Sequence, residues 1–402
     1  MAYPHPSQTM PAWIVFYSSR TWVLKYVRNL EFDILPKRCY VFLSVNTYPE
    51  KEADRIPILA HFNAPPVLAT RMCAEINGYF GSRSSYEEED DRLKGYSTWM
   101  RCLVKMILKE PAENGKDYKW YEMTMLSHWD ALAETHQILC IDTPEDFPKR
   151  LLKALLEHSS QMTQNYFRDP FSMHAHLLDQ VVQLNDKSVW AIRHPIRDIE
   201  KRRPTAGPDF ESMHEISRHT IHISEVLLVT IQNFEALREQ QEYMHNESLK
   251  LSEGKLVLGK EYRERAHEYL NFQIQMLKSL RERSISNHSR LSSEIVVAYN
   301  RIAQQDNRAM SSIAFLTMTF LPAAFISSFF STTFFSFGED GLQVSKQMWL
   351  YWAITIPSTL IIMIIWRLCL HTKAPLTYRN IKDFAKASLE RKQKELIEKV
   401  VV

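Results

Sequence analysis

Oxygen-bearing side chains recur at helical spacing near the end of the chain. Asn307, Met310, Ala314, Thr317, Leu321, Ala324, Ser328 and Ser331 follow steps of three and four, which sets them on one stripe of a helix. The stripe is polar at Asn307, narrows to Met310 and Leu321, and turns small and hydroxylic toward Ser331, Thr332 and Thr333. Hydroxyl, amide and backbone carbonyl oxygens are the donors that hard cations take, so several copies around an axis would make a cation path. The same pattern also suits a plain helix-packing seam, in which hydroxyls bond back to their own helix or across an interface. Glu339 and Asp340 follow, carboxylates that would raise the local cation concentration.

What must position this stripe is a membrane. Ser311 to Phe337 contains no Asp, Glu, Lys, Arg or His, and roughly 20 mainly apolar helical residues suffice to cross a bilayer. A second uncharged run, Met348 to Trp366, follows a ten-residue connector, so the two predict a transmembrane hairpin. Arg367, Lys373, Arg379, Lys382, Lys386, Arg391, Lys392 and Lys394 lie beyond the second run, and Arg301 and Arg308 lie before the first. Basic flanks stay on the cytoplasmic side, which predicts both termini inside and the acidic connector outside. Trp349, Tyr351, Trp352 and Trp366 suit headgroup depth.

The residues FLPAAFISSFFSTTFF in the first run, YWAITIP opening the second and VWAIRHPIRDIEKRR upstream resemble the CorA-like divalent metal transporters, particularly their fungal members. The resemblance extends clearly over about Asp186 to Leu370. It implies a long helix that is both stalk and pore wall, five copies forming a funnel, and Mg²⁺ or a related divalent cation as the transported ion and as a possible regulator. Bacterial members end the first span with Gly-Met-Asn. Alignment on Pro322 puts Ser331, Thr332 and Thr333 there, a departure at all three positions. Two readings follow: a homo-oligomeric, channel-like transporter for Mg²⁺, with Zn²⁺, Co²⁺ or Ni²⁺ as variants, or a membrane-anchored sensor or scaffold without conduction.

The expected fold class is α+β. Residues 1–165 form an α/β cytoplasmic domain, 166–308 a helical stalk, 309–337 the first transmembrane helix, 338–347 an external loop, 348–370 the second transmembrane helix and 371–402 a basic cytoplasmic tail. Trp13 to Tyr17, Cys39 to Val45 and Gln137 to Ile141 read as buried strands. Ser97 to Glu110 and Asp117 to His128 read as a hairpin around Asn114-Gly115. Gly81 to Lys94, with its carboxylate run, reads as an exposed loop. Thr143 and Pro144 read as a helix start, and Pro195 as a kink or break. A helix from about 260 to 337 would be on the order of 110 Å long.

Composition excludes several classes. The 402 residues are 45% hydrophobic and 24% charged with net charge +2, a balance that gives no case for nucleic acid. Five scattered cysteines argue for a reducing compartment and against a disulfide framework. GxGxxG, P-loop and GxSxG motifs are missing, so neither enzymatic chemistry nor a resident cofactor is expected. His214-Glu215 with His219 is one residue longer than the zinc-protease spacing and reads as a helix face. The N-terminus lacks an Arg-rich amphipathic presequence, which favours the plasma membrane over mitochondria.

Overall fold

The computed structural model describes residues 10–87, 93–108, 110–111, 115–159, 164–202, 208–251, 258–330, 335–338 and 341–373. Two compact units divide the chain, Met1–Val296 and Val297–Val402.

The first unit is built on a seven-stranded sheet. Its strands are β1 (Ala12–Ser18), β2 (Thr21–Val27), β3 (Arg38–Leu43), β4 (Gly78–Tyr86), β5 (Leu93–Ile107), β6 (Tyr118–Asp130) and β7 (Thr135–Ile141), in the order β2-β1-β3-β7-β6-β5-β4. Only β3 and β7 pair in parallel; every other neighbour is antiparallel. β5 and β6 are paired without a shift from Gly95↔Asp130 to Ile107↔Tyr118, as their β-branched, aromatic and Met content favours.

Side-chain alternation sends successive residues to the two faces of the sheet, and both faces carry helices. On one face Val41, Leu43, Leu139 and Ile141 pack with Ile58 and Leu59 of α1 (Glu52–His61) and with Phe62 just beyond its end; the short α2 (Arg71–Glu75) follows. On the other lie α3 (Phe147–Glu157), α4 (Gln164–Arg168), α5 (Ser172–Arg202) and α6 (Phe210–Leu251). Asn233 of α6 donates to the Arg101 carbonyl at 2.7 Å, and Thr98 meets His174 of α5 at 2.9 Å. The approach of α6 to the sheet depends on Gly78, where a Cβ would stand 2.8 Å from Val229.

Two strands escape the sequence reading. The β1–β2 hairpin turns on Ser19 and Arg20, both at positive φ (51° and 67°), where Asn or Gly is the usual signal. β4 overturns the expected loop at Gly81 to Lys94, since Gly81–Tyr86 pairs along β5, and β5 itself begins at Leu93. Its Ser-rich composition lacks the apolar alternation of a strand, and Gly81 is needed because its register partner Trp99 lies across it. Glu87 is the last described residue before the acidic run, whose other carboxylates lie outside the described residues. The helix expected from Thr143 instead starts at Phe147, with Asp146 at the N-cap and Pro148 in the first turn. Pro195 sits inside α5 without ending it.

The last long helix, α7, runs Lys260–Phe330. Its N-terminal part is tied into the first unit. Tyr262 donates to Asp169 at 3.0 Å, Gln273 donates to Asp179 at 2.7 Å, and Lys278 pairs with Glu235 at 2.7 Å. Asp169, fully buried, also meets His245 near the end of α6 at 3.2 Å and accepts the Phe171 N–H at 3.0 Å, so one carboxylate joins α5, α6 and α7.

The second unit contains the rest of α7, a small hairpin of β8 (Phe335–Gly338) and β9 (Gly341–Val344), and α8 (Met348–Lys373). The first span, expected as helix to Phe337, differs here: α7 ends at Phe330 and the chain is extended from Phe335. Absence of charge marks the membrane segment but not its conformation, and the aromatic run ending in Gly338, with Gly341 at φ 99°, favours a strand and turn.

Candidate functional site

Lys260–Ser328 and Met348–Leu368 are long and apolar enough to cross a membrane, and their most apolar windows are only 6% buried. So much bare apolar helix needs lipid or further protein around it. Three hydroxyls within the first segment are already satisfied by the helix itself. Ser312 donates to the Arg308 carbonyl at 3.0 Å, Thr317 to Ile313 at 2.9 Å and Thr319 to Phe315 at 2.8 Å. Each donation consumes the hydroxyl hydrogen and leaves oxygen lone pairs available.

One face of this segment belongs to α8. Phe315 meets Trp366 with ring centroids 5.7 Å apart, Pro322 is buried, and the Tyr351 hydroxyl donates to the Ala323 carbonyl at 3.4 Å while accepting from Ser327 at 3.2 Å. Thr355 of α8, one turn beyond Tyr351, is buried. At about 100° per residue, Phe315, Thr319, Pro322 and Ile326 fall on this side of α7. Met310, Thr317, Leu321, Ala324 and Ser328 fall on the side turned away from α8, and all are exposed, Met310 at 67% and Leu321 at 64%. Asn307 is exposed as well. The seam with α8 thus occupies a different side of α7 from these five residues, while Ser327 takes part in the seam. Ser331, Thr332, Thr333, Glu339 and Asp340 lie outside the described residues.

Tyr351 is the residue whose part sequence reasoning missed. Read as an interface aromatic, it is the polar tie between the two helices, whereas its neighbours Trp349 and Trp352 stay exposed. A hydroxyl near the start of one span facing a Ser near the end of the other was the available signal.

Of the motif histidines, His219 is buried and His222 half-buried, whereas His214 is exposed. His219 lies against Tyr118 at 5.2 Å between ring centroids and 3.6 Å from Asp117. His222 accepts from Lys105 at 3.0 Å, and that ammonium also sits 4.2 Å from the Tyr118 ring centre. Burial, with Arg218 nearby, brings the Lys105 ammonium down to about 8. Among the described residues no three His, Cys, Asp or Glu side chains are grouped to hold a metal.

Comparison with known proteins places this architecture. The profile of the family described as CorA-like Mg²⁺ transporter protein matches residues 127–368. A curated relative, notoamide biosynthesis cluster protein M' of Aspergillus versicolor, is 25% identical over 292 residues, covering 66% of this chain and 61% of its own. This chain therefore spans under two thirds of that relative's length. Among solved structures, full-length CmaX superposes with a TM-score of 0.56 at 14% identity, covering 90% of this chain and 99% of its own. The complete CorA magnesium transporter of Methanocaldococcus jannaschii gives 0.51 at 14% identity, covering 90% and 98%. Those likenesses establish the fold, including a sheet domain, a long helix and two C-terminal membrane helices. With more than half of the chain matched by the profile and the fold shared along nearly all of it, the protein belongs to the CorA-like Mg²⁺ transporter family.

Proposed function

We propose that this protein is a homo-oligomeric transporter that passes divalent cations, Mg²⁺ foremost, through a pore lined by the α8-averted face of α7. The observation that carries the reading is the separation of faces: Tyr351 and Trp366 occupy one side of α7 and leave Met310, Thr317, Leu321, Ala324 and Ser328 open on the other. Mg²⁺ sheds its water reluctantly, so a path for the hydrated ion needs ring-like arrays of oxygen acceptors. Thr317, with its hydrogen committed to Ile313, offers such an oxygen, and Asn307 offers an amide at the inner mouth. Met310 and Leu321 supply apolar rings that gate by dewetting. Ser331, Thr332 and Thr333 form the outer acceptor ring, with Glu339 and Asp340 concentrating cations beside it.

Five copies around one axis give the assembly, both termini lie in the cytoplasm, and the plasma membrane houses it. A potential of 100 mV then drives a divalent ion inward with about 4.6 kcal/mol, twice the single-charge value. A second reading, a sensor or scaffold that does not conduct, is favoured by Ser331-Thr332-Thr333 standing where bacterial relatives carry Gly-Met-Asn.

Flux of Mg²⁺, Co²⁺, Ni²⁺ and Zn²⁺ into liposomes tests both. Ser328→Trp, on the averted face, is expected to reduce flux to the leak of empty liposomes. Ile356→Trp, exposed on α8, is expected to leave it unchanged. Flux indifferent to Ser328→Trp would place conduction elsewhere, and no flux of any ion under any gradient would select the scaffold.

A further inference from the structure

The sheet has one point where neighbouring parallel strands send the chain to opposite faces. β3 leads to α1, which packs on the Val41 and Leu43 side, while β7 leads to α3, whose Phe147 meets Phe42 on the other side with ring centroids 5.9 Å apart. Connections that diverge from adjacent carboxyl ends open a crevice there, the usual place for a ligand in an α/β sheet. A cleft of about 460 Å³ lies at this point, within the size range of small-molecule sites.

Its lining is apolar below and charged at the rim. Phe42, Pro144 and Pro148 are buried, and Trp13, the register partner of Phe42, presents an indole that is 37% exposed. Two carboxylates near the cleft are already engaged: Asp146 pairs with Arg150 at 2.9 Å, and Asp142 accepts the Glu122 N–H at 2.7 Å. Glu145 and Lys149, both exposed and both lining the cleft, form no ion pair among the described residues. The cleft thus offers one uncommitted negative charge, one uncommitted positive charge and a flat apolar slot.

We propose that this cleft binds a small zwitterion with a flat apolar side chain, of the aromatic α-amino acid class. The ammonium faces Glu145, the carboxylate faces Lys149, and the ring lies on Trp13 and Pro148. The site lies wholly within the sheet unit and does not depend on transport activity.

Equilibrium dialysis of the full-length protein in detergent with radiolabelled L-phenylalanine is the test, with 2-phenylethylamine, 3-phenylpropanoate and L-alanine as competitors. Saturable binding is expected, and each competitor, lacking one charge or the ring, should displace the label less well than unlabelled L-phenylalanine. Glu145→Gln and Lys149→Met should each weaken binding by up to about fivefold, the scale of a solvent-screened ion pair, with unchanged thermal stability. The proposal is overturned by lack of saturable binding up to about 10 mM, where binding free energy falls below about 3 kcal/mol. It is equally overturned if both variants bind like the parent, or if the amine or the acid competes as well as the amino acid.

Discussion

Removing the Asp169 carboxylate should unfasten the start of α7. This side chain is fully buried and serves three elements at once: Tyr262 at 3.0 Å, His245 at 3.2 Å and the Phe171 N–H at 3.0 Å. Asp169→Ala strands all three partners in a closed site, where breaking such a group by deleting one member costs about 3–5 kcal/mol. Tyr262→Phe removes one hydrogen bond to a charged acceptor and should cost about 1.5–3 kcal/mol. In a domain of this size each kcal/mol lowers Tm by about 2–4 °C, so Asp169→Ala should lower the first transition of the detergent-solubilised protein by roughly 6–20 °C. Hydrogen exchange should quicken at the amides near Tyr262 and His245 before it does in β5 and β6, because the loss is local to the joint. A Tm within 2 °C of the parent, or faster exchange spread evenly over the sheet, would refute the assignment of Asp169 as the fastener.

The pH dependence has a definite sign. His174, facing Thr98, His136 and Asp169, is pushed down to about 4 by burial, and His136 lies well below its usual range for the same reason. A histidine lowered in the folded state is neutral there, so its stabilisation is complete above the unfolded value near 6.5 and is lost as pH falls below it, by up to about 1.4 kcal/mol per pH unit per group. Tm of the first transition should therefore drop between pH 6.5 and about 4, and His174→Gln should flatten that slope; a profile unchanged in the variant would contradict the burial argument. Tyr351→Phe removes the tie to Ala323 and Ser327, worth about 0.6 kcal/mol on average and up to about 1.7 between membrane helices. It should weaken the α7–α8 pair in detergent titrations without altering unfolding of the sheet unit.

Much of the architecture is legible in the residues, and the exceptions share a cause. Two charge-free runs announce the membrane helices, because lipid penalises charge regardless of partner. Apolar runs likewise expose β1, β3, β7 and the long β5–β6 pair. β2 is hidden by a turn on Ser19 and Arg20 that tertiary pairing enforces against local preference. β4 is hidden because an edge strand under α6 gains its place from Trp99 and Asn233 rather than from its own composition. For the site, spacing revealed the stripe but not which neighbour owned which side. That depended on Tyr351 and Trp366, twenty or more residues away in sequence, and only the fold brings them to Ala323 and Phe315.

The back-bonded hydroxyls of α7 bear on how the protein is made. With Ser312, Thr317 and Thr319 each donating to a carbonyl one turn earlier, the segment carries these three hydroxyls into hydrocarbon with their hydrogens already placed. A newly synthesised chain can therefore enter the bilayer without a second chain to satisfy those three hydroxyls, so in the proposed oligomer insertion would come first and assembly second.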